Sequence, residues 1–472
     1  MIFNTLAYFA LFLLPAAILF RRVRPTVQPW ICLAFGAGFF IFFSLTQVGG
    51  KAGAICLLIF IWESIFSRFY KQGSILCIIG IIQTLLFLIV FKYWNFLTGL
   101  LFKSTGHNPL AWSGAFLPLG ISFFTFEFIH YAVDRYRGKT PAGRFSEYLA
   151  FILFFPTMVA GPIKRYQDFL PKLVNPSREW RLDWRQGITR ILSGLAKKFV
   201  VADLLTAFTN HLNRADIAQA QRWVLPIWLF AYGMKIYFDF SAYSDIAIGS
   251  ARLFGIKVPE NFDWPYLRTN IAEFWKHWHM SLYRWLVDYV FIPLGGSRVN
   301  PSRVYLNILI TMFLSGLWHG AGLNFIVWGL WHGTLLVIHR LWTAWREGSL
   351  MQFSKTSPTL GLWPLVATVS GDGVQTIPAI LYSGTIRQSP SAPVTPAENS
   401  PRSTHESVTV GEISEPAEET VGASAPRKNR PPSLGGKLVS WALTFIMVNL
   451  GWAFFCMDLP TSLFFLRRLF FG

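Results

Sequence analysis

The chain has 472 residues, of which 53% are hydrophobic, 17% aromatic and only 14% charged. An ordinary soluble domain carries roughly 25% charged residues, so a water-soluble fold has no way to hide this much apolar surface. The net charge of +18 invites a nucleic-acid reading, which needs Lys and Arg gathered on one solvent-facing surface. Here the basic residues stand in short clusters among apolar runs: Arg21, Arg22 and Arg24 after the first, Lys164 and Arg165 after another, Lys197 and Lys198 inside a third. That is the positive-inside pattern of a multi-pass membrane protein, and it argues against nucleic acid as a partner.

A span needs about 20 mostly apolar residues, because the hydrocarbon core is ~30 Å thick and a helix rises ~1.5 Å per residue. In chain order the runs that predict spans are 2–20, 30–48, 52–69, 75–94, 116–131, 148–163, 188–208, 223–238, 288–293 with its flanks, 304–318, 325–341 and 438–455. They amount to about eleven transmembrane helices, an all-α polytopic membrane protein. The first run has no basic residue before it and Arg21 to Arg24 after it, which predicts an uncleaved first span with Met1 outside the cytoplasm. Cys32, Cys56, Cys77 and Cys456 all lie in apolar runs, where a thiol acts as a small hydrophobe; neither disulfides nor a Cys-rich metal site is expected.

Two stretches break the pattern. Residues 257–298 mix charges and aromatics too densely for a lipid-facing span, and predict interfacial helices with a partly re-entrant piece. From 383 to 432 the chain turns to Ser, Pro, Thr and Glu, which cannot bury enough apolar surface to offset the entropy of ordering. The expected organisation is a membrane body over 1–348, a polar and largely disordered linker over 349–434, and one or two C-terminal transmembrane helices over 435–472.

An ionisable side chain inside a span costs about 2.5–3.5 kcal/mol on insertion scales, so it asks for a function or a partner. Of nine histidines, His107, His211 and His405 fall in loops or the linker, whereas His130, His277, His279, His319, His332 and His339 lie in or beside spans. His319, in "SGLWHGAG", ends an apolar run beside Gly320 and Gly322, where backbone or substrate can approach closely. Its imidazole suits a general base for a hydroxyl, or equally a packing-layer histidine satisfied by a carbonyl. His279 and His277 form a His-x-His pair with Glu273 nearby, but a zinc site needs three or four ligands and no third joins them, so no metal is expected. His332 repeats the Trp-His-Gly sequence on the next predicted helix and reads as a neighbour of the site or as structure. Asp239 and Asp245, six apart, fall on different sides of a helix and form no acid–base pair; helix-locking bonds to cations or backbone N–H groups suit them better. No phosphate loop, Gly-x-Ser-x-Gly elbow or Ser-x-x-Lys stands at a useful place, so nothing supports a nucleophilic serine.

The segments "LPLGISFFTFEFIHYAVDRYRG", "FPTMVAGPIKRYQDFLPKL", "FDFSAYSDIAIG", "PENFDWPYLRTNIAEFWKHWHMSLYRW", "FIPLGGSR" and "SGLWHGAGLNFIVWGLWHG", in this order, resemble the bacterial branch of the membrane-bound O-acyltransferase family, of the alginate O-acetyltransferase type. The resemblance runs from about Leu117 to Trp342. Ala242 stands where that branch usually has Gly.

The resemblance implies a helical body around a central funnel, with an acyl donor entering from the cytosol and an acceptor hydroxyl from outside. It makes His319 the catalytic base and His279 its polar partner. His332, Asp239, Asp245, Trp278, Trp318 and Asn324 would support or surround them, with the tryptophans walling a dry cavity. Acetyl-CoA or another acyl thioester would be a donor substrate and not a bound cofactor, and hydroxyls of an exported or cell-surface glycan the acceptor. An SGNH-type partner outside the plasma membrane would complete the transfer. Two competing readings are a D-alanyl transferase for teichoic acid, and a transporter or flippase with a histidine proton relay.

Overall fold

The computed structural model describes residues 4–47, 50–114, 116–346, 367–370, 373–376 and 433–472. Residues 1–362 and 436–472 form one compact unit and 363–435 another. The α-helices of the first, among the described residues, are α1 Leu14–Arg22, α2 Gln28–Gln47, α3 Gly50–Ser67, α4 Ile75–Leu88, α5 Trp94–Leu101, α6 Ile121–Tyr136, α7 Phe145–Ile152, α8 Tyr166–Val174, α9 Trp180–Ala196, α10 Thr206–Thr209, α11 Arg214–Gln219, α12 Leu225–Leu253, α13 Ile271–His277, α14 Met280–Leu286, α15 Pro301–His319, α16 Leu323–Arg346, α17 Leu434–Cys456 and α18 Leu459–Phe471. Single π-helical turns lead into α1, join α4 to α5, and extend α9 and α14.

In the second unit an antiparallel pair, β1 Ala367–Ser370 and β2 Gly373–Thr376, sets Ala367 opposite Thr376, a small exception to the all-α expectation. The rest of the predicted disordered linker, 349–434, lies almost wholly outside the described residues.

Among the described residues, three helical stretches are long and apolar enough to cross a membrane by length and composition: Gln28–Thr46, Ile75–Leu101 and Leu434–Cys456. The expected runs shift at several places for local reasons. Run 75–94 continues to Leu101 through the π-turn. Run 223–238 becomes the 29-residue α12. Run 148–163 is not a continuous span: α7 stops at Ile152, and residues 153–165 follow as turns. Pro156 and Pro162, with no N–H to donate, forbid a helix there. Phe154, Phe155 and Met158 in those turns are nevertheless buried, which irregular backbone requires at membrane depth. Run 288–293 contributes only the π-turn Val287–Phe291.

The polar residues of α12 are hidden by α9 and its π-turn. Asp245 pairs with Arg190 at 2.7 Å and Lys197 at 2.6 Å, and Asp239 pairs with Lys198 at 2.9 Å. The two helices touch backbone to backbone at Gly187 and Gly249, where a Cβ on Gly249 would sit 2.5 Å from the Gly187 carbonyl oxygen. At Ala242 the close approach is supplied from the other side: a Cβ on Gly194 would lie 2.7 Å from the Ala242 carbonyl oxygen. The helix contact is thus kept without a glycine at 242.

A second close crossing, between α15 and α16, positions the site. A Cβ on Gly316 would come 2.2 Å from the Phe325 carbonyl oxygen, and one on Gly329 2.3 Å from that of Met312. With both absent, the end of α15 lies against the side chains that α16 presents.

Candidate active site

His319 is the last residue of α15, and Gly320 beyond it is extended, so the imidazole projects from an abrupt helix end. Its ring packs edge-on against Trp328 of α16 at 5.0 Å, against Phe455 of α17 at 4.9 Å, and beside Trp318 at 4.6 Å. It remains partly accessible. No hydrogen bond to its ring nitrogens is found among the described residues.

His279 also packs against the Trp318 indole, 6.0 Å ring to ring, with Phe240 of α12 at 4.7 Å. It is buried, and neither ring nitrogen finds a partner among the described residues. An unsatisfied buried polar group costs about 1–3 kcal/mol; both ring nitrogens of the buried His332 are in the same state, so what distinguishes His279 is its backbone and its contact with Trp318. Its backbone is left-handed at φ 45°, a conformation shared among described non-glycine residues only with Trp264. Strain of this kind costs about 1–3 kcal/mol and persists only where the surroundings enforce it.

The enforcing residue is Asn261, fully buried on the strand-like segment after α12. His279 is the N-cap of α14 but its side chain does not cap the helix. Asn261 does so from outside: its carbonyl oxygen accepts from Met280 N at 2.9 Å, and its Oδ1 accepts from the Ser281 N–H and hydroxyl at 3.2 and 2.6 Å. Asn261 Nδ2 donates to Ser244 Oγ of α12 at 3.1 Å. An antiparallel bridge between Phe262 and Trp278, and a bond from Asp263 N to the His277 carbonyl at 3.1 Å, complete the clamp. The imidazole, relieved of capping, packs edge-on against the rings of Phe240 and Trp318. Residues 257–298 accordingly fold as two seven-residue helices, α13 and α14, broken by this buried kink.

The other predicted residues take distinct places. Trp318 packs against both histidines and leans on Phe123 and Phe126. Trp278 is buried behind His279, tilted against Trp452 of α17 at 5.0 Å. His332 is fully buried and reaches His319 only through Trp328, whose ring is 5.0 Å from each. Asn324 donates to the Phe454 carbonyl at 3.1 Å and so ties α16 to α17. Asp239 and Asp245 stand in the ion pairs with α9 and its π-turn described above. His277 stands 3.6 Å from Asp263 and 3.9 Å from Glu273, and no group of three or more His, Cys, Asp or Glu among the described residues is placed to hold a metal.

Three participants were not legible as such. Phe455, from the helix beyond the linker, walls His319, and Asn261 reads in sequence as an ordinary turn residue. Lys92 lies in the second half of the apolar stretch Ile75–Leu101; its ammonium donates to the Trp318 carbonyl and, at 3.1 Å, to Ser122 Oγ. An intramembrane lysine was the available signal.

A family model described as the membrane-bound O-acyltransferase family matches residues 81–364. The chain is 41% identical over 268 residues to a probable alginate O-acetylase of Azotobacter vinelandii, covering 56% of this chain and 53% of that one. It is 32% identical over 373 residues to a peptidoglycan O-acetyltransferase of Helicobacter pylori, covering 71% of this chain and 67% of that one. To a teichoic acid D-alanyltransferase of Bacillus subtilis it is 29% identical over 321 residues, covering 62% and 77% respectively. The chain spans about half the length of the alginate O-acetylases it matches.

Proposed function

The chain belongs to the membrane-bound O-acyltransferase family, and from that premise we propose that it transfers an acetyl group from a cytosolic thioester, acetyl-CoA, to hydroxyls of an exported or cell-surface polysaccharide. The observation that carries this reading is that two imidazoles, the partly accessible His319 and the buried His279, both pack against Trp318. The acetylase names of the relatives at 41% and 32% identity support the acyl group and the polysaccharide class.

In the proposed step His319 accepts the proton of the acceptor hydroxyl as its oxygen attacks the thioester carbonyl carbon. The C–O bond forms, the C–S bond breaks, and the proton passes to the departing thiolate, leaving an ester and a free thiol. The thioester is already activated, so the protein supplies mainly proximity, a base and a donor for the developing oxyanion. His279 is the polar partner nearest that centre. Trp318, Trp278 and Phe455 keep the cavity dry, while His332, Asn324, Asp239 and Asp245 hold the surrounding helices.

The proposal includes a plasma-membrane body of about eleven spans around a funnel, the N-terminus outside, and an extracytoplasmic SGNH-type partner that completes delivery to the polymer. Among the described residues three helices meet the span criterion unaided; α12, α15 and α16 are long enough but carry buried polar residues. Family membership favours group transfer over a transporter with a proton relay. Transfer of D-alanine, the activity in the name of the Bacillus subtilis relative, would use the same histidines.

The test is transfer from radiolabelled acetyl-CoA to surface polymer in vesicles, comparing wild type with His319→Ala at matched membrane expression. Label in wild type and its loss in His319→Ala supports the reading. Equal label in both removes His319 from catalysis. No label from acetyl-CoA together with label from a D-alanyl-charged carrier protein replaces the acetyl group by D-alanine.

A further inference from the structure

Helix α15 ends without the usual capping turn. Gly320 is extended, so the last carbonyls of the helix need donors from elsewhere, since helix ends leave such groups unpaired. Both donors come from one place. The Tyr93 hydroxyl donates to the Leu317 carbonyl at 2.7 Å, and the Lys92 ammonium donates to the Trp318 carbonyl. These two residues close the π-helical turn Ile89–Tyr93, and at Tyr93 the backbone swings to φ −112° before α5 begins. Single π-turns inside longer helices recur at functional sites. Here the turn lets adjacent side chains address adjacent carbonyls of another helix.

The ammonium is otherwise anchored by Ser122 Oγ and lies 5.7 Å from the centre of the Trp318 ring and 5.6 Å from that of Tyr93. No carboxylate lies within ion-pair distance of it among the described residues. A lysine in so apolar a stretch costs about 2.5–3.5 kcal/mol on insertion scales, and its place is explained by what it holds: the carbonyl end of α15 and Ser122. Through the Trp318 carbonyl and ring, Lys92 reaches the residue that immediately precedes His319.

We propose that Lys92 is a positioning residue of the reaction centre: by gripping the Trp318 carbonyl and lying against its indole, it sets where the next residue, His319, presents its imidazole. The inference rests on the acyl-transfer reading for its catalytic consequence, but the placement of His319 is measurable without any substrate. Tyr93 holds the preceding carbonyl and Ser122 orients the ammonium, so the three make one fixture on the end of α15.

The experiment is carbethoxylation of the purified full chain with diethyl pyrocarbonate, following the rate at His319 by peptide mass spectrometry with His277 as internal reference. Lys92→Met is expected to change the His319 rate by on the order of tenfold while His277 keeps its own, and Lys92→Arg, which restores a donor, to bring it back toward wild type. In the transfer assay Lys92→Met should lower kcat by about tenfold to hundredfold, with KM for acetyl-CoA within about twofold. An unchanged His319 rate in folded Lys92→Met overturns the proposal. If that variant fails to fold, Ser122→Ala and Tyr93→Phe decide by the same labelling, and wild-type rates in both overturn it. A labelling change in a protein that transfers no acyl group from any thioester keeps the positioning role and removes the acyl-transfer reading.

Discussion

Asn261 Oδ1 accepts from both the backbone N–H and the hydroxyl of Ser281, at 3.2 and 2.6 Å, and so performs for α14 the capping that His279 leaves undone. The side chain that caps and the side chain that packs against Trp318 belong to different segments, which allows the helix end to be satisfied without the imidazole.

Asn261→Ala should therefore act through His279. It leaves the Ser281 N–H and the Ser244 hydroxyl without their present partner, at a cost of about 2 kcal/mol. Transfer activity should fall in the wild-type background and fall no further when combined with His279→Ala. A double-mutant cycle on kcat, with thermal unfolding in detergent as the control, measures this. Additive losses would mean that Asn261 does not work through His279.

At His279 itself, backbone and side chain can be separated. The left-handed φ of 45° disfavours any residue with a Cβ, so His279→Gly should be more stable than His279→Ala by about 1 kcal/mol. Both should lose transfer activity, because both remove the imidazole. Equal midpoints of thermal unfolding for the two variants would show that the left-handed conformation is not maintained in the folded protein.

Asp245 tests the distinction between a catalytic and a helix-locking carboxylate. It is buried between Arg190 and Lys197, whose charged ends are partly exposed. Removing it strands two cations that water can partly screen, so Asp245→Asn should destabilise by about 1–3 kcal/mol, less than for a fully buried pair. Activity per folded molecule should stay within about threefold of wild type, since the pair lies outside the reacting atoms. Loss of kcat by a hundredfold in a variant of wild-type stability would place Asp245 in the chemistry. Asp239, whose carboxylate is more exposed than that of Asp245 and pairs with Lys198, should lose less stability in the same experiment.

Sequence alone determined the class of the protein: apolar runs, basic clusters and intramembrane histidines report directly on burial in lipid, because the cost of a charge or an open backbone group there leaves few arrangements. It also singled out His319 and His279, whose neighbours form long ordered motifs. The middle of α7's run misled, since hydropathy measures burial and not backbone state, and the buried turns 153–165 are as apolar as a helix. Tertiary structure decided what distance along the chain conceals. Lys92 meets Trp318 across 226 positions and Asn324 meets Phe454 across 130, contacts for which no local pattern exists. The left-handed turn at His279 was equally hidden, because a histidine adopts it only when Asn261, from a separate segment, caps the helix that follows and absorbs the strain.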